Sequence, residues 1–164
     1  MNLAPVLVVD VLLLLLAANG APVLLARVLG RRWAWPVDGG LLLWDGRPLF
    51  GVSKTWRGLA IGVAMTTLAG VLLGYGAGFG LLFGAASLAG DLCSSFIKRR
   101  MGIRSSGKAL GIDQIPEALL PLLACRGTLG LDWVSMAALV ALFLVGSLLL
   151  SRAMFRFGIK QQPY

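Results

Sequence analysis

Asp91, Ser94 or Ser95, and Lys98 follow one another at helical spacing inside a largely apolar stretch, which places a carboxylate, a hydroxyl and an ammonium group on one helix face. Asp113 and Glu117 stand one turn apart in the next apolar stretch. Ionisable groups in such surroundings are costly and are functional candidates by default. Carboxylates gathered alone would repel one another and take up protons. Gathered around Mg²⁺, with phosphates held by neighbouring Lys and Arg, they would form a balanced site. That set of groups suits phosphoryl or nucleotidyl transfer, where positioning and charge neutralisation dominate and no protein nucleophile is needed. A structural reading uses the same residues differently: Asp91 pairs with Lys98, and Asp113 caps the helix that follows.

The chain has no histidine, which removes the commonest general base and zinc ligand. Its two cysteines, Cys93 and Cys125, lie in apolar stretches without metal-ligand neighbours, so neither a disulfide framework nor a thiolate site is indicated. Upstream, Asp45-Gly46 marks a turn, and Ser53-Lys54-Thr55-Trp56-Arg57-Gly58 precedes a long uncharged stretch. Lys54 and Arg57 there could hold phosphates, or they could anchor the chain at a membrane surface with Trp56. Asp10 and Asn19 are polar packing contacts or the lining of a headgroup cavity; the sequence leaves both open.

The elements that must position these groups are membrane helices. Hydrophobic residues make up 58% of the 164 and charged residues only 13%, about half the charged share of a soluble globular chain. A bilayer crossing takes roughly 20 apolar residues. The spacing predicts an all-α integral membrane protein with about five transmembrane helices, over 3–29, 59–75, 79–98, 112–125 and 133–151. Glycines 74, 76, 78 and 80 divide the second from the third, and loops 30–58 and 99–111 face the cytoplasm. The whole of 1–164 reads as a single domain. Five spans with the N-terminus outside and the C-terminus inside put fourteen of the fifteen Lys and Arg residues on the cytoplasmic side, leaving only Arg126 outside. Trp33, Trp35, Trp44 and Trp56 fall in the first inner loop, as interfacial aromatics should. Asp10 and the lack of a basic n-region argue against a cleaved signal peptide. Small residues from Gly80 to Gly90 predict that the third helix packs closely on its neighbours.

On these residues the chain resembles the CDP-archaeol synthase family, small membrane relatives of the phosphatidate cytidylyltransferases. The stretches that carry the resemblance are Ala18-Asn19-Gly20-Ala21-Pro22, Asp45-Gly46-Arg47-Pro48-Leu49-Phe50-Gly51, Lys54-Thr55-Trp56-Arg57-Gly58, Gly90-Asp91-Leu92 with Ser95-Phe96-Ile97-Lys98-Arg99-Arg100, Asp113-Gln114 and Phe157-Gly158-Ile159-Lys160. They run in order along nearly the whole chain. The resemblance implies a five-helix fold, Mg²⁺ dependence, and condensation of CTP with a membrane lipid phosphate, phosphatidate-like or archaeol-type, to give a CDP-lipid and pyrophosphate. It implies Asp91 and Asp113 as metal ligands, with Lys98 and Glu117 beside them in the catalytic group. Asn19, Lys54, Thr55, Arg57, Ser95, Arg99, Arg100 and Gln114 fall to substrate and phosphate binding. One departure stands out: the acid that follows Asp-Gln in the archaeal pattern is replaced by Ile115-Pro116-Glu117. The partners implied are CTP, the lipid phosphate and the bilayer, with no nucleic acid and with homodimer formation left open. The location implied is the cell membrane, multi-pass, with the active site facing the cytoplasm. The competing classes are a lipid-phosphate binder or flipping protein of the same fold and a structural subunit of a membrane complex.

Overall fold

The computed structural model describes residues 4–105 and 111–156, the last helix from 150 to 155 by its backbone alone. Lys108 and the Phe157–Lys160 motif lie outside the described residues. Six helices follow in order: α1 Pro5–Leu29, α2 Trp56–Leu72, α3 Ala77–Arg100, α4 Gln114–Ala124, α5 Arg126–Leu129 and α6 Trp133–Arg156. Among the described residues strand-like pairing is limited to two isolated bridges, Pro36 with Thr55 and Leu42 with Pro48.

The helices start and stop where local chemistry allows. Pro5 opens α1, where a missing N–H costs nothing. Thr55 caps α2 by accepting from the Gly58 amide at 3.3 Å. The glycine-rich break behaves as the sequence indicates: Gly74 and Gly76 take positive φ and turn the chain from α2 into α3. Lys98, Arg99 and Arg100 form the last turn of α3, where cations complement exposed carbonyls.

α3 is the central helix, packed against α1, α2 and α4, while α6 closes on α4 and α1. Glycine makes the close approaches possible. A Cβ on Gly80 would lie 2.6 Å from the Thr66 carbonyl oxygen, and one on Gly90 would run into the backbone of Pro116 and Glu117. The packing expected of the small residues on α3 is therefore present. A core of Val11, Leu14, Leu15, Phe83, Leu122, Met136 and Leu139 joins α1, α3, α4 and α6. The outward surface is equally apolar: Val6, Leu72, Leu81 and Val145 are all exposed. An apolar exterior around an apolar core is what a lipid solvent permits and water does not.

α1 and α3 are long and apolar enough to cross a membrane by length and composition; α2 is apolar but shorter. The stretch expected to cross at 112–125 differs most. α4 has 11 residues, a rise of only about 16 Å, so it does not reach across a hydrocarbon core of about 30 Å alone. It ends at Ala124, and after Cys125 a separate helix, α5, runs for four residues. α2 begins at Trp56 rather than at 59, which moves Arg57 from the loop into the helix.

Candidate active site

The cationic end of α3, the start of α4 and the loop before α2 meet at one end of the bundle. The loop is fixed first. Asp38 accepts from the amides of Gly51 at 2.8 Å, Phe50 at 2.9 Å and Gly40 at 3.0 Å, gathering residues 38–51 around one carboxylate. Partial burial pushes that carboxyl up, but the three amides outweigh it and hold it below its ordinary value. The Asp45-Gly46 turn is present, with Gly46 at φ +68° and its amide donating to the Leu43 carbonyl at 2.9 Å. Arg100 then clasps the loop to α3: it pairs with Asp45 at 2.5 Å and donates to the Pro48 carbonyl at 2.6 Å. Arg47 reciprocates by donating to the carbonyl of Arg100 at 2.5 Å.

With the loop so held, Lys54 Nζ reaches both carboxylate oxygens of Asp91 at 2.5 Å. The Glu117 side chain lies against that of Asp91, within electrostatic reach of Lys54 and Asp113. Lys98 pairs with Asp113 at 2.6 Å. The Asp113 oxygen in that pair is buried, and the contact is one of charge rather than an aligned hydrogen bond. Lys54, Asp91, Glu117, Asp113 and Lys98 thus form one cluster, three carboxyls flanked by two ammonium groups, drawn from the first loop, α3 and the start of α4. Neither half of the structural reading describes it. Asp91 pairs across the fold with Lys54 instead of along its own helix with Lys98, and Asp113 makes no side-chain cap to α4.

Other residues singled out in the sequence make contacts outside these charge pairs. Arg57 donates to the carbonyls of Gly30 at 2.7 Å and Arg32, tying the chain just after α1 to α2. Arg99 is buried and donates to the Ile103 carbonyl at 2.5 Å, closing the turn after α3. Gln114 accepts from the Gly111 amide at 3.0 Å. Asn19 donates to Ser87 Oγ at 3.0 Å in the interior. Ser95 is buried beside the cluster and its hydroxyl has no hydrogen-bond partner among the described residues. Asp10, whose role the sequence left open, accepts from the Tyr75 hydroxyl at 2.8 Å, far along the chain from the charged end. Sequence reasoning passed over Asp38, although the Asp38-Gly39-Gly40 turn signal marks it, and gave Arg47 no role of its own.

No group of three or more His, Cys, Asp or Glu side chains among the described residues forms a ready-made metal cage. The donor chemistry nevertheless fits a hard cation. Asp91 and Glu117 bring all-oxygen donors into contact, without imidazole or thiolate, and Mg²⁺ commonly takes only one or two carboxylates, filling its shell with water and substrate phosphate.

A helical body with an apolar surface, carrying acids and ammonium groups clustered at one end, defines a membrane protein with a charged polar site. A family model described as CarS-like: CDP-archaeol synthase matches residues 4–79 and 73–164. The CDP-archaeol synthase of Aeropyrum pernix is 37% identical over 155 residues, covering 90% of this chain and 85% of that protein. That of Pyrobaculum calidifontis is 33% identical over 156 residues, covering 90% of each. A solved structure described as an intramembrane enzyme for archaeal membrane lipids biosynthesis superposes with a TM-score of 0.69 at 31% identity, over 83% of this chain and 89% of that one. The chain belongs to the CarS-like CDP-archaeol synthase family. It is accordingly a membrane enzyme of the nucleotidyltransferase class.

Proposed function

We propose that the protein transfers the cytidylyl group of CTP to an archaeol-type lipid phosphate, forming a CDP-lipid and releasing pyrophosphate in a Mg²⁺-dependent reaction. The observation that carries this reading is the five-membered cluster of Lys54, Asp91, Glu117, Asp113 and Lys98 in a chain of this family. Similarity along nearly the full length to synthases named for archaeol supports that lipid over a phosphatidate-like one.

A lipid phosphate oxygen attacks the α-phosphorus of CTP, a new P–O bond forms, and the bond between the α- and β-phosphates breaks with pyrophosphate carrying away the electron pair. The nucleophile is already ionised at neutral pH, so a chain without histidine needs no general base. Asp91, with Asp113 and Glu117 around it, would hold Mg²⁺, which when bound supplies neutralisation of charge on the phosphate oxygens. Lys54 now occupies both Asp91 oxygens. Competition for those oxygens would release its ammonium group to a phosphate, while Lys98 keeps Asp113 in place. Arg57 and Arg100 serve by holding the ends of α1 and of the loop rather than by meeting phosphate directly.

The arrangement in the membrane is part of the same proposal: five crossings, the N-terminus outside, and the site at the cytoplasmic face where CTP is found. The distribution of Lys and Arg supports it. α4, packed against α3 and α6, would together with α5 supply the short fourth crossing. The test is purified protein in mixed micelles with labelled CTP and a panel of archaeol-type and phosphatidate-type lipid phosphates, with and without EDTA. CDP-lipid that forms from the archaeol-type substrate and disappears with EDTA supports the reading. Folded protein giving no CDP-lipid from any lipid phosphate would overturn it.

A further inference from the structure

Pro121 sits four residues after Glu117 within α4. In an unbroken helix the amide of residue 121 would donate to the Glu117 carbonyl, and proline has no amide hydrogen to give. A carbonyl left open in this way between packed helices is expensive, and a neighbouring hydroxyl is a common remedy. Here the remedy comes from another helix. Ser87 of α3, fully buried, donates its hydroxyl to the Glu117 carbonyl at 3.0 Å. Ser87 is in turn held by Asn19 of α1, whose amide donates to its oxygen at 3.0 Å and to the Leu15 carbonyl at 3.2 Å. Gly90, one turn along the same face of α3, lets the backbone of Pro116 and Glu117 come into contact. Three helices are thereby locked around one peptide group, and that peptide belongs to the residue whose carboxyl lies against Asp91.

We propose that Ser87, braced by Asn19, is a positioning residue: it takes the carbonyl that Pro121 leaves open in α4 and thereby sets the Glu117 carboxyl against Asp91. The proline supplies the vacancy, the serine fills it from α3, and the registry between α3 and α4 follows. A regular α4 would satisfy its own carbonyl and give up this polar tie to α3. Asn19, expected from the sequence to meet substrate, acts on this reading through Ser87. The catalytic consequence rests on the role proposed for Asp91 and Glu117, whereas the structural lock does not.

The experiment is a stability cycle and an activity cycle on the full chain in detergent. Ser87→Ala in the natural background leaves the Glu117 carbonyl unsatisfied and should lower Tm by about 4 °C or more. In a Pro121→Ala background the helix supplies its own donor, and Ser87→Ala should then lower Tm by less than half as much. Equal losses in the two backgrounds, or no loss in either, would overturn the lock. Activity separates positioning from substrate binding. Ser87→Ala should lower kcat at least fivefold with the KM for CTP held within about twofold, and it should add nothing in a Glu117→Gln background. A raised KM with kcat preserved would place Ser87 against substrate and overturn the proposal. If the coupling in Tm appears but no protein makes CDP-lipid, the lock stands and the proposed reaction falls.

Discussion

Replacing Lys54 with alanine should change turnover and metal requirement in opposite directions. Lys54 Nζ contacts both oxygens of Asp91 at 2.5 Å, and the two side chains are 21% and 19% exposed. Unit charges about 4 Å apart attract by roughly 4 kcal/mol at an effective dielectric of about 20. Desolvation and partial solvent screening reduce the net value to about 1–2 kcal/mol for a pair this exposed. Any cation that takes the Asp91 oxygens must first displace that ammonium group, so its removal favours Mg²⁺ by the same amount. A difference of 1–2 kcal/mol is a factor of roughly 5–30 in an equilibrium constant. Lys54→Ala should therefore lower the Mg²⁺ concentration for half-maximal activity by about that factor. Turnover should fall at least tenfold, a transition-state loss of about 1.4 kcal/mol, because the phosphate partner is gone. The assay is CDP-lipid formation across a Mg²⁺ titration in mixed micelles, compared with the wild type at saturating CTP. A Mg²⁺ requirement that rises, or turnover within twofold of wild type, would refute the reasoning.

Asp113→Asn leaves Lys98 facing a neutral amide at 2.6 Å and should reduce turnover at least a hundredfold; Glu117→Gln should cause a large but incomplete loss, and both follow from the same radiolabel assay on protein shown to be folded. Acid should open the first loop. The Asp38 carboxyl is held below its ordinary value in the folded state, so it stabilises the loop above the unfolded value of 3.8 and that contribution is lost as pH falls through the lower folded value. Proteolysis of residues 38–51 should thus increase as the pH falls below the unfolded value of 3.8, and Asp38→Asn should raise cleavage at neutral pH and reduce its pH dependence. For topology, single cysteines placed at Gly40 and Thr128 in a cysteine-free background should react from opposite sides of the membrane, position 40 from the cytoplasm. Reaction of both from one side would discard the five-crossing arrangement.

The sequence carried the helices better than the contacts between them. Uninterrupted apolar runs and the glycine break at 74–80 are local signals, and α1, α2, α3 and α6 stand close to where those signals put them. The fourth element resisted because α4 runs through Pro116 and Pro121 but stops at Ala124, with Cys125 between it and α5, in a run whose composition alone looks able to cross a membrane. Helical spacing gathered Asp91, Ser94, Ser95 and Lys98 on one face, and that face does line the charged end. Spacing could not show that Asp91 takes its cation from Lys54, because that pairing depends on Asp38 and Arg100 folding a long loop back onto α3. For the same reason spacing did not show that Arg57 donates to the carbonyls of Gly30 and Arg32, or that Arg100 reaches the Asp45 carboxylate and the Pro48 carbonyl. Charge type was legible and charge partner was not.

The central claim is that Asp91 anchors a cytidylyl transfer, and product stoichiometry in an Asp91→Asn comparison tests it most directly. Wild-type protein with CTP, Mg²⁺ and an archaeol-type lipid phosphate should yield CDP-lipid and pyrophosphate in equal amounts. Folded Asp91→Asn protein should yield neither above background. Equal product from Asp91→Asn, or pyrophosphate released by the wild type without CDP-lipid, would contradict the account.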